Sequence, residues 1–270
     1  MTLTVRDEEE LLRANLVYHL ERGVDVVFVT DHASKDATPD ILEEFRREGQ
    51  VRAHREDGAR WEQGPWQTRM AREAAELGAD WVIPGDADEF WWPTRGELVD
   101  ALGEVPLEVG AVVARRHNFA PRPADGRPFH ARMRLRERVG RNLLGFRTAP
   151  KVAHRAARDV TVGHGGHRAS FGAAIPRLYA GALEILHFPL RSFDDLRRRA
   201  DYAAGELAAH GTTSPSSPQN RALMQLREQG LLERYWDRLA SDERAVRAEL
   251  EAGLLVPDDR LATWFETRDG

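Results

Sequence analysis

The sequence contains no cysteine, so it has no disulfide framework and no thiolate with which to build a structural zinc site. Lysine is almost as scarce. Only Lys35 and Lys151 are present, so 37 of the 39 basic residues are arginine, an Arg and Ala bias typical of high-GC bacterial coding. No stretch approaches the roughly eighteen apolar residues needed to cross a membrane. The first apolar segment begins within three residues of Met1, which leaves no room for a signal peptide and predicts a cytoplasmic, soluble chain. The net charge of −5 argues against general nucleic-acid binding. The local basic runs at 132–147 and 197–199 read as solvated faces. Two further absences matter more. Neither a Gly-x-Gly-x-x-Gly turn after the first strand nor a Gly-x-x-x-x-Gly-Lys-Ser/Thr loop occurs, so neither of the common backbone cradles for phosphate is available. A phosphate bound here has to be held through a metal and through arginines such as Arg69 or Arg191.

What the chain does have is a regular alternation of apolar strands and amphipathic helices over its first hundred residues. Leu3 to Val5, Val24 to Val29, Val51 to Arg55 and Trp81 to Pro84 read as strands. Helices are predicted over Glu8 to Arg22, from an N-cap at Thr38 with Pro39 behind it to about Arg47, and over Trp66 to Leu77. Thr94 with Glu97 forms a capping box for another. Repeated strand–helix–strand units predict a mostly parallel sheet flanked by helices, with right-handed crossovers and ligands at the carboxyl ends of its strands. Those ends are acidic. Asp7 and Glu8 follow Arg6 after the first strand, Asp31 and Asp36 follow the second, and Glu56 and Asp57 the third. Asp86, Asp88 and Glu89 follow the fourth. In an extended segment alternate side chains point the same way, so Asp86 and Asp88 project to one side, a pair suited to Mg²⁺ or Mn²⁺.

A set of ordered motifs carries a resemblance. Thr4-Val5-Arg6-Asp7-Glu8, Tyr18-His19-Leu20, Val29-Thr30-Asp31-His32, Asp80-Trp81-Val82-Ile83 and Asp86-Ala87-Asp88-Glu89-Phe90 look like the family 2 glycosyltransferases of the GT-A fold. Gly165-Gly166-His167 and Ile185-Leu186-His187-Phe188-Pro189-Leu190-Arg191 look like later motifs of a bacterial branch that also resembles the family 92 proteins. Position 7 is Asp where that family usually has Asn, and His32 stands where Asn or Asp is more usual.

The resemblance implies a GT-A, Rossmann-like sheet at 1–210, with a nucleotide-sugar half at 1–105 and an acceptor half at 106–210, followed by a helical extension at 219–270. It implies that Arg6, Asp7, Asp31, Asp36, Arg69, Asp86 and Arg191 serve a nucleotide-sugar donor, a UDP-sugar first. Asp86, Asp88 and His187 would hold the metal. Transfer with inversion also needs a base. His167 is the first candidate, with Glu89 and His117 behind it. Two other functions use the same residues, a nucleotidyl or phosphoryl transferase and a noncatalytic binder of sugar nucleotides or glycans.

Toward the C-terminus, the Pro-rich segment from His117 to Phe129 reads as a loop beside the acceptor. Ser192 and Asp195 open a helix to about His210, and Gly211 to Pro218 reads as a linker. Helices from Gln219 to about Gly253 carry an apolar face, with Leu223, Leu226, Leu231, Leu232, Tyr235, Trp236 and Leu239. That face suits packing on the core, an acceptor surface or a homodimer.

Overall fold

A computed structural model describes residues 1–58, 60–141, 147–172, 174–210 and 218–269. Of the expected linker at 211–218, positions 211–217 lie outside these residues and Pro218 begins a helix; positions 142–146 of the basic run also lie outside them. The chain forms two compact units, Met1–Arg116 with Ala149–Leu186, and His117–Thr148 with His187–Gly270.

The first unit opens with β1 (Thr2–Val5), α1 (Glu9–Glu21), β2 (Val27–Asp31), α2 (Thr38–Arg47), β3 (Val51–Arg55) and α3 (Gln63–Glu76). Then come β4 (Trp81–Val82), β5 (Pro84–Gly85), β6 (Glu89–Pro93), α4 (Leu98–Gly103) and β7 (Ala111–Asn118). α5 (Phe129–Arg132) and β8 (Leu135–Glu137) belong to the second unit. The chain then returns through β9 (Lys151–Arg155), β10 (Val160–Val162), a 3-10 turn at His164–Gly166, β11 (Ala169–Phe171) and β12 (Leu178–His187). Last are α6 (Phe193–His210), α7 (Pro218–Glu228), α8 (Leu232–Ala240), α9 (Glu243–Glu251), β13 (Leu255–Pro257) and α10 (Arg260–Asp269).

The α/β architecture is as expected, with a parallel sheet flanked by helices and a helical C-terminal region. A four-stranded parallel sheet runs β3-β2-β1-β5, and every residue of β1 and β2 is buried, as strands covered on both faces require. A second, five-stranded sheet of order β4-β9-β7-β12-β6 contains antiparallel pairs. The segment read as a single fourth strand divides between the two sheets. Trp81 and Val82 pair antiparallel with Arg155 and His154, whereas Pro84 and Gly85 pair parallel with Thr2 and Leu3. α3 closes a core of Phe28, Met70, Ala71, Ala74, Val82, Ala111, Val152, Val160 and Val162.

Capping differs from the sequence pattern at two points. Thr38 is the first helical residue of α2, and the Asp36 carboxylate accepts its N–H at 2.9 Å, while the Thr38 hydroxyl accepts from Glu8 N–H. Thr94 forms no box with Glu97. Its hydroxyl donates to the Gly181 carbonyl at 2.8 Å, and α4 has no side-chain cap. Ser192, by contrast, caps α6 by accepting the Asp195 N–H at 3.1 Å.

In the second unit, Leu223, Leu232, Trp236 and Ala240 pack with Leu190, Leu196 and Ala200, so the apolar face of α7 and α8 is covered by α6 and the segment before it. Among the described residues, no helix is long and apolar enough to cross a membrane.

Candidate functional site

The acidic segment is not extended. Asp86, Ala87 and Asp88 form a turn closed by Glu89 N–H donating to the Asp86 carbonyl at 3.1 Å, so strand alternation does not place the two aspartates side by side. The turn is fastened by α1, which supplies buried polar groups spaced one turn apart. Asn15 Nδ2 donates to the carbonyls of Ala87 (3.0 Å) and Glu89 (2.9 Å), Tyr18 donates its hydroxyl to the Trp91 carbonyl, and Trp91 N–H donates to His19 Nε2 at 3.1 Å. His19 therefore carries its proton on Nδ1, which donates to Asn15. Burial, only partly opposed by that bond to Asn15, pulls its pKa down to about 3 and keeps it neutral.

Inside this turn lies a side chain that sequence reasoning missed. Lys151, the first residue of β9, is fully buried, with Nζ 2.5 Å from Glu89 Oε2 and 2.7 Å from Asp86 Oδ2. The Asp86 carboxylate is completed by Gln63 Nε2 at 2.7 Å, and Arg116 approaches Glu89 Oε1 at 3.5 Å. Burial is the main reason the Glu89 carboxyl is pushed up to about 7, with Lys151 opposing and Asp86 reinforcing the shift. Burial alone would lower the Lys151 ammonium, but Asp86 and Glu89 override it and hold its pKa above the ordinary value. The scarcity of lysine was the available signal, because one of only two lysines in an arginine-rich chain sits beside the carboxylates.

At the end of the five-stranded sheet where β6 starts and β12 finishes, Asp88, Glu89 and His187 are all buried and offer one ligand atom each, within 4.8 Å of one another. Two carboxylates and an imidazole form a mixed oxygen and nitrogen set that suits a divalent ion such as Mn²⁺. Asp86 is not in this cluster, being engaged with Gln63 and Lys151.

His167 follows the 3-10 turn, whose geometry depends on glycine. Gly165 has φ +70°, and a Cβ there would lie 2.7 Å from the His167 ring; Gly166 has φ +66°, and its Cβ would meet Pro84 at 3.0 Å. Gln63 Oε1 accepts the Gly165 N–H at 3.1 Å, so one side chain joins this turn to Asp86. The half-buried His167 ring donates from Nδ1 to the Pro150 carbonyl at 2.7 Å, leaving Nε2 as its basic nitrogen. Burial, then the charges of Arg116 and Lys151, lower its pKa, the Pro150 bond opposing.

The remaining expected residues are largely occupied with one another. Asp31 takes the Ser34 N–H and the Arg55 guanidinium, Asp36 takes Glu9 and Thr38 N–H, and Asp7, at φ +53°, takes Lys35 N–H. Left-handed backbone at position 7 fits Asp or Asn, which tolerate it better than most residues. Arg6 reaches His32 Nδ1 at 3.5 Å, and His32 packs against Trp61 and Trp66. The acidic strand ends thus have internal donors and do not by themselves require a cation. Two expected phosphate arginines have carboxylate partners within the protein. Arg69 pairs with Glu56 at 2.7 Å. Arg191 is buried, with Nη2 3.0 Å from Asp195 and Nη1 donating to the Phe188 carbonyl, so it ties the start of α6 together. His117, the weaker base candidate, accepts from Arg136 at 3.3 Å.

Fold and site together define an α/β protein with a buried carboxylate and histidine cluster of metal-ligand composition, next to a lysine-bridged carboxylate pair. No protein-family model and no curated protein matches the chain. Among solved structures it is similar to residues 1–349 of S. aureus TarS, at 14% identity over 90% of this chain and 75% of that one, with a TM-score of 0.45. The same protein in complex with UDP matches at 15% identity over 87% and 71%, TM-score 0.44. Its complex with UDP-GlcNAc matches at 14% over 87% and 72%, TM-score 0.43.

Proposed function

We infer that this chain is a metal-dependent glycosyltransferase that moves a sugar from a nucleoside-diphosphate sugar, a UDP-sugar first, onto an acceptor hydroxyl with inversion. The observation that carries the inference is the buried Asp88, Glu89 and His187 cluster at a sheet end, reinforced by the ordered motifs of the sequence. Asp88, Glu89 and His187 would hold Mn²⁺ or Mg²⁺, and Glu89 is also paired with Lys151. Such an ion, when bound, neutralises the charge that grows on a departing diphosphate.

The other roles follow from the chain's own groups. Asp31 and Asp36 border the nucleoside, and Asp86, held by Gln63 and Lys151, borders the donor ribose. His167 Nε2 takes the acceptor proton, its lowered pKa keeping the ring neutral and ready near pH 7. Residues 1–105 serve the donor, 106–210 the acceptor, and 219–270 form a helical extension. The irregular segment after β7, Phe119–Pro128, borders the acceptor.

The test is a panel of nucleoside-diphosphate sugars incubated with the protein and Mn²⁺, with and without EDTA. Release of nucleoside diphosphate that stops with EDTA is the expected result, and the anomeric configuration of the product is read by NMR. Release of pyrophosphate from a nucleoside triphosphate would favour nucleotidyl transfer on the same cluster. Tight binding of nucleoside diphosphate that is indifferent to EDTA would overturn the metal-dependent function.

A further inference from the structure

The surroundings of His187 specify more than its position. Asn118, the last residue of β7, is buried, and its side-chain carbonyl Oδ1 lies 2.7 Å from His187 Nδ1. The same amide presents Nδ2 to two acceptors, the Arg141 carbonyl at 2.5 Å and Glu137 Oε2 at 3.4 Å. Those acceptors fix which way the amide faces, because an NH₂ group donates and cannot accept. Oδ1 must therefore face His187, and an oxygen there can only accept. Nδ1 then carries the proton, and in the neutral ring Nε2 holds the lone pair, the form a metal ligand needs.

The mounting is backbone as well as side chain. Phe119 N–H donates to the His187 carbonyl at 2.8 Å, and Ala120 N–H to the Leu135 carbonyl, so the strand carrying Glu137 is fastened to the residues just after Asn118. Glu137 is itself held by the Arg141 N–H at 2.6 Å.

We propose that Asn118, oriented by Glu137 and the Arg141 carbonyl, is a positioning residue that locks His187 in its Nδ1–H tautomer and presents Nε2 to a divalent cation. This rests on the metal-dependent function proposed above, but the tautomer is a property of the metal-free protein and can be measured without turnover.

The experiment uses the full chain in three forms, wild type, Asn118→Leu and Asn118→Asp. Long-range ¹H–¹⁵N NMR reads the His187 tautomer without metal, and Mn²⁺ titration followed by EPR reads affinity. The wild type is expected to show a protonated Nδ1 and an unprotonated Nε2. Asn118→Leu should lose that preference and weaken Mn²⁺ binding by about 10- to 100-fold, whereas Asn118→Asp, which keeps an acceptor for Nδ1–H, should retain the tautomer. A wild-type Nε2–H tautomer overturns the proposal with no variant needed. Equal Mn²⁺ affinity in wild type and a folded Asn118→Leu overturns it while leaving the metal site standing. A wild type that binds no Mn²⁺ overturns the metal-dependent function, and the proposal falls with it.

Discussion

Lys151 Nζ lies 2.5 Å from Glu89 Oε2, and both side chains are fully buried. A lone buried ammonium or carboxylate is costly, and removing one partner of such a pair leaves the other uncompensated. Lys151 also bridges to Asp86, so it governs the charge of the whole turn. Lys151→Met is expected to lower stability by about 3–5 kcal/mol, read by urea unfolding. The double variant Lys151→Met with Glu89→Gln should recover part of that loss, because it no longer buries an orphan carboxylate. A strictly additive double variant would refute the coupling.

The same pair sets a pH dependence. Glu89 is pushed from 4.5 up to about 7, chiefly by burial, so the folded state holds its proton more tightly than the unfolded chain. Its contribution is fully present below about pH 4.5 and is lost as pH rises toward 7, on the order of 3 kcal/mol in all. Glu137, also pushed up to about 7 by burial, acts in the same direction, so the informative quantity is a difference. Subtracting the Glu89→Gln unfolding profile from that of the wild type should isolate a decline confined to this window. A flat difference between pH 4.5 and 7 would show that Glu89 is ordinary.

Sequence periodicity specified the first half of the fold well, because α1 and α2 each bury an apolar stripe, Leu11, Leu12 and Leu16 in one and Ile41, Leu42 and Phe45 in the other, and β1 and β2 are buried throughout. It failed where one stretch serves two sheets. Trp81 to Pro84 reads as a single strand, and only tertiary pairing with β9 and β1 divides it. It failed again at the acidic turn, since alternation assumes extended backbone, whereas Asn15 and His19, seventy residues earlier, fold residues 86–88 into a turn. Glu89 and His187 were legible as candidates because carboxylates and a late histidine are chemically conspicuous. Lys151, Gln63 and Asn118 were not, because their importance lies in what they touch, and no local pattern encodes that contact.

Activity should depend on Gly165 through His167. Any side chain at Gly165 meets both the φ of +70° and the His167 ring at 2.7 Å. Gly165→Ala is expected to cost about 1 kcal/mol of stability while lowering kcat far more, as the ring is displaced. His167→Asn should lower kcat by about 10²–10⁴, and the acid limb of wild-type kcat/KM assigned to His167 should lie below pH 6.5, since burial and the neighbouring cations depress its pKa. A His167→Asn enzyme with unchanged kcat would remove it as the base.

Binding of Mn²⁺ and nucleoside diphosphate should be cooperative, the ion bridging the cluster and the phosphates. Thermal stabilisation by the two together should exceed that by either alone. Asp88→Asn keeps the shape of the turn but removes an anionic ligand, so it should abolish both the cooperativity and turnover with little change in unfolding temperature. Wild-type cooperativity in Asp88→Asn would exclude this cluster as the metal site.

Arg191 separates a structural ion pair from a phosphate ligand. It is buried, lies 3.0 Å from Asp195, and donates its own backbone N–H to the second carboxylate oxygen of that residue. Arg191→Met leaves Asp195 buried, with the exposed Arg198 guanidinium as a remaining cationic partner. The expected cost is about 3–5 kcal/mol, concentrated where α6 begins and visible as faster amide exchange there. Nucleoside-diphosphate affinity, measured by calorimetry well below the unfolding temperature of the variant, should stay within about twofold of wild type, because a guanidinium committed to Asp195 and the Phe188 carbonyl has little to offer a phosphate. A tenfold loss of affinity with stability unchanged would reverse the assignment and restore Arg191 to the donor site.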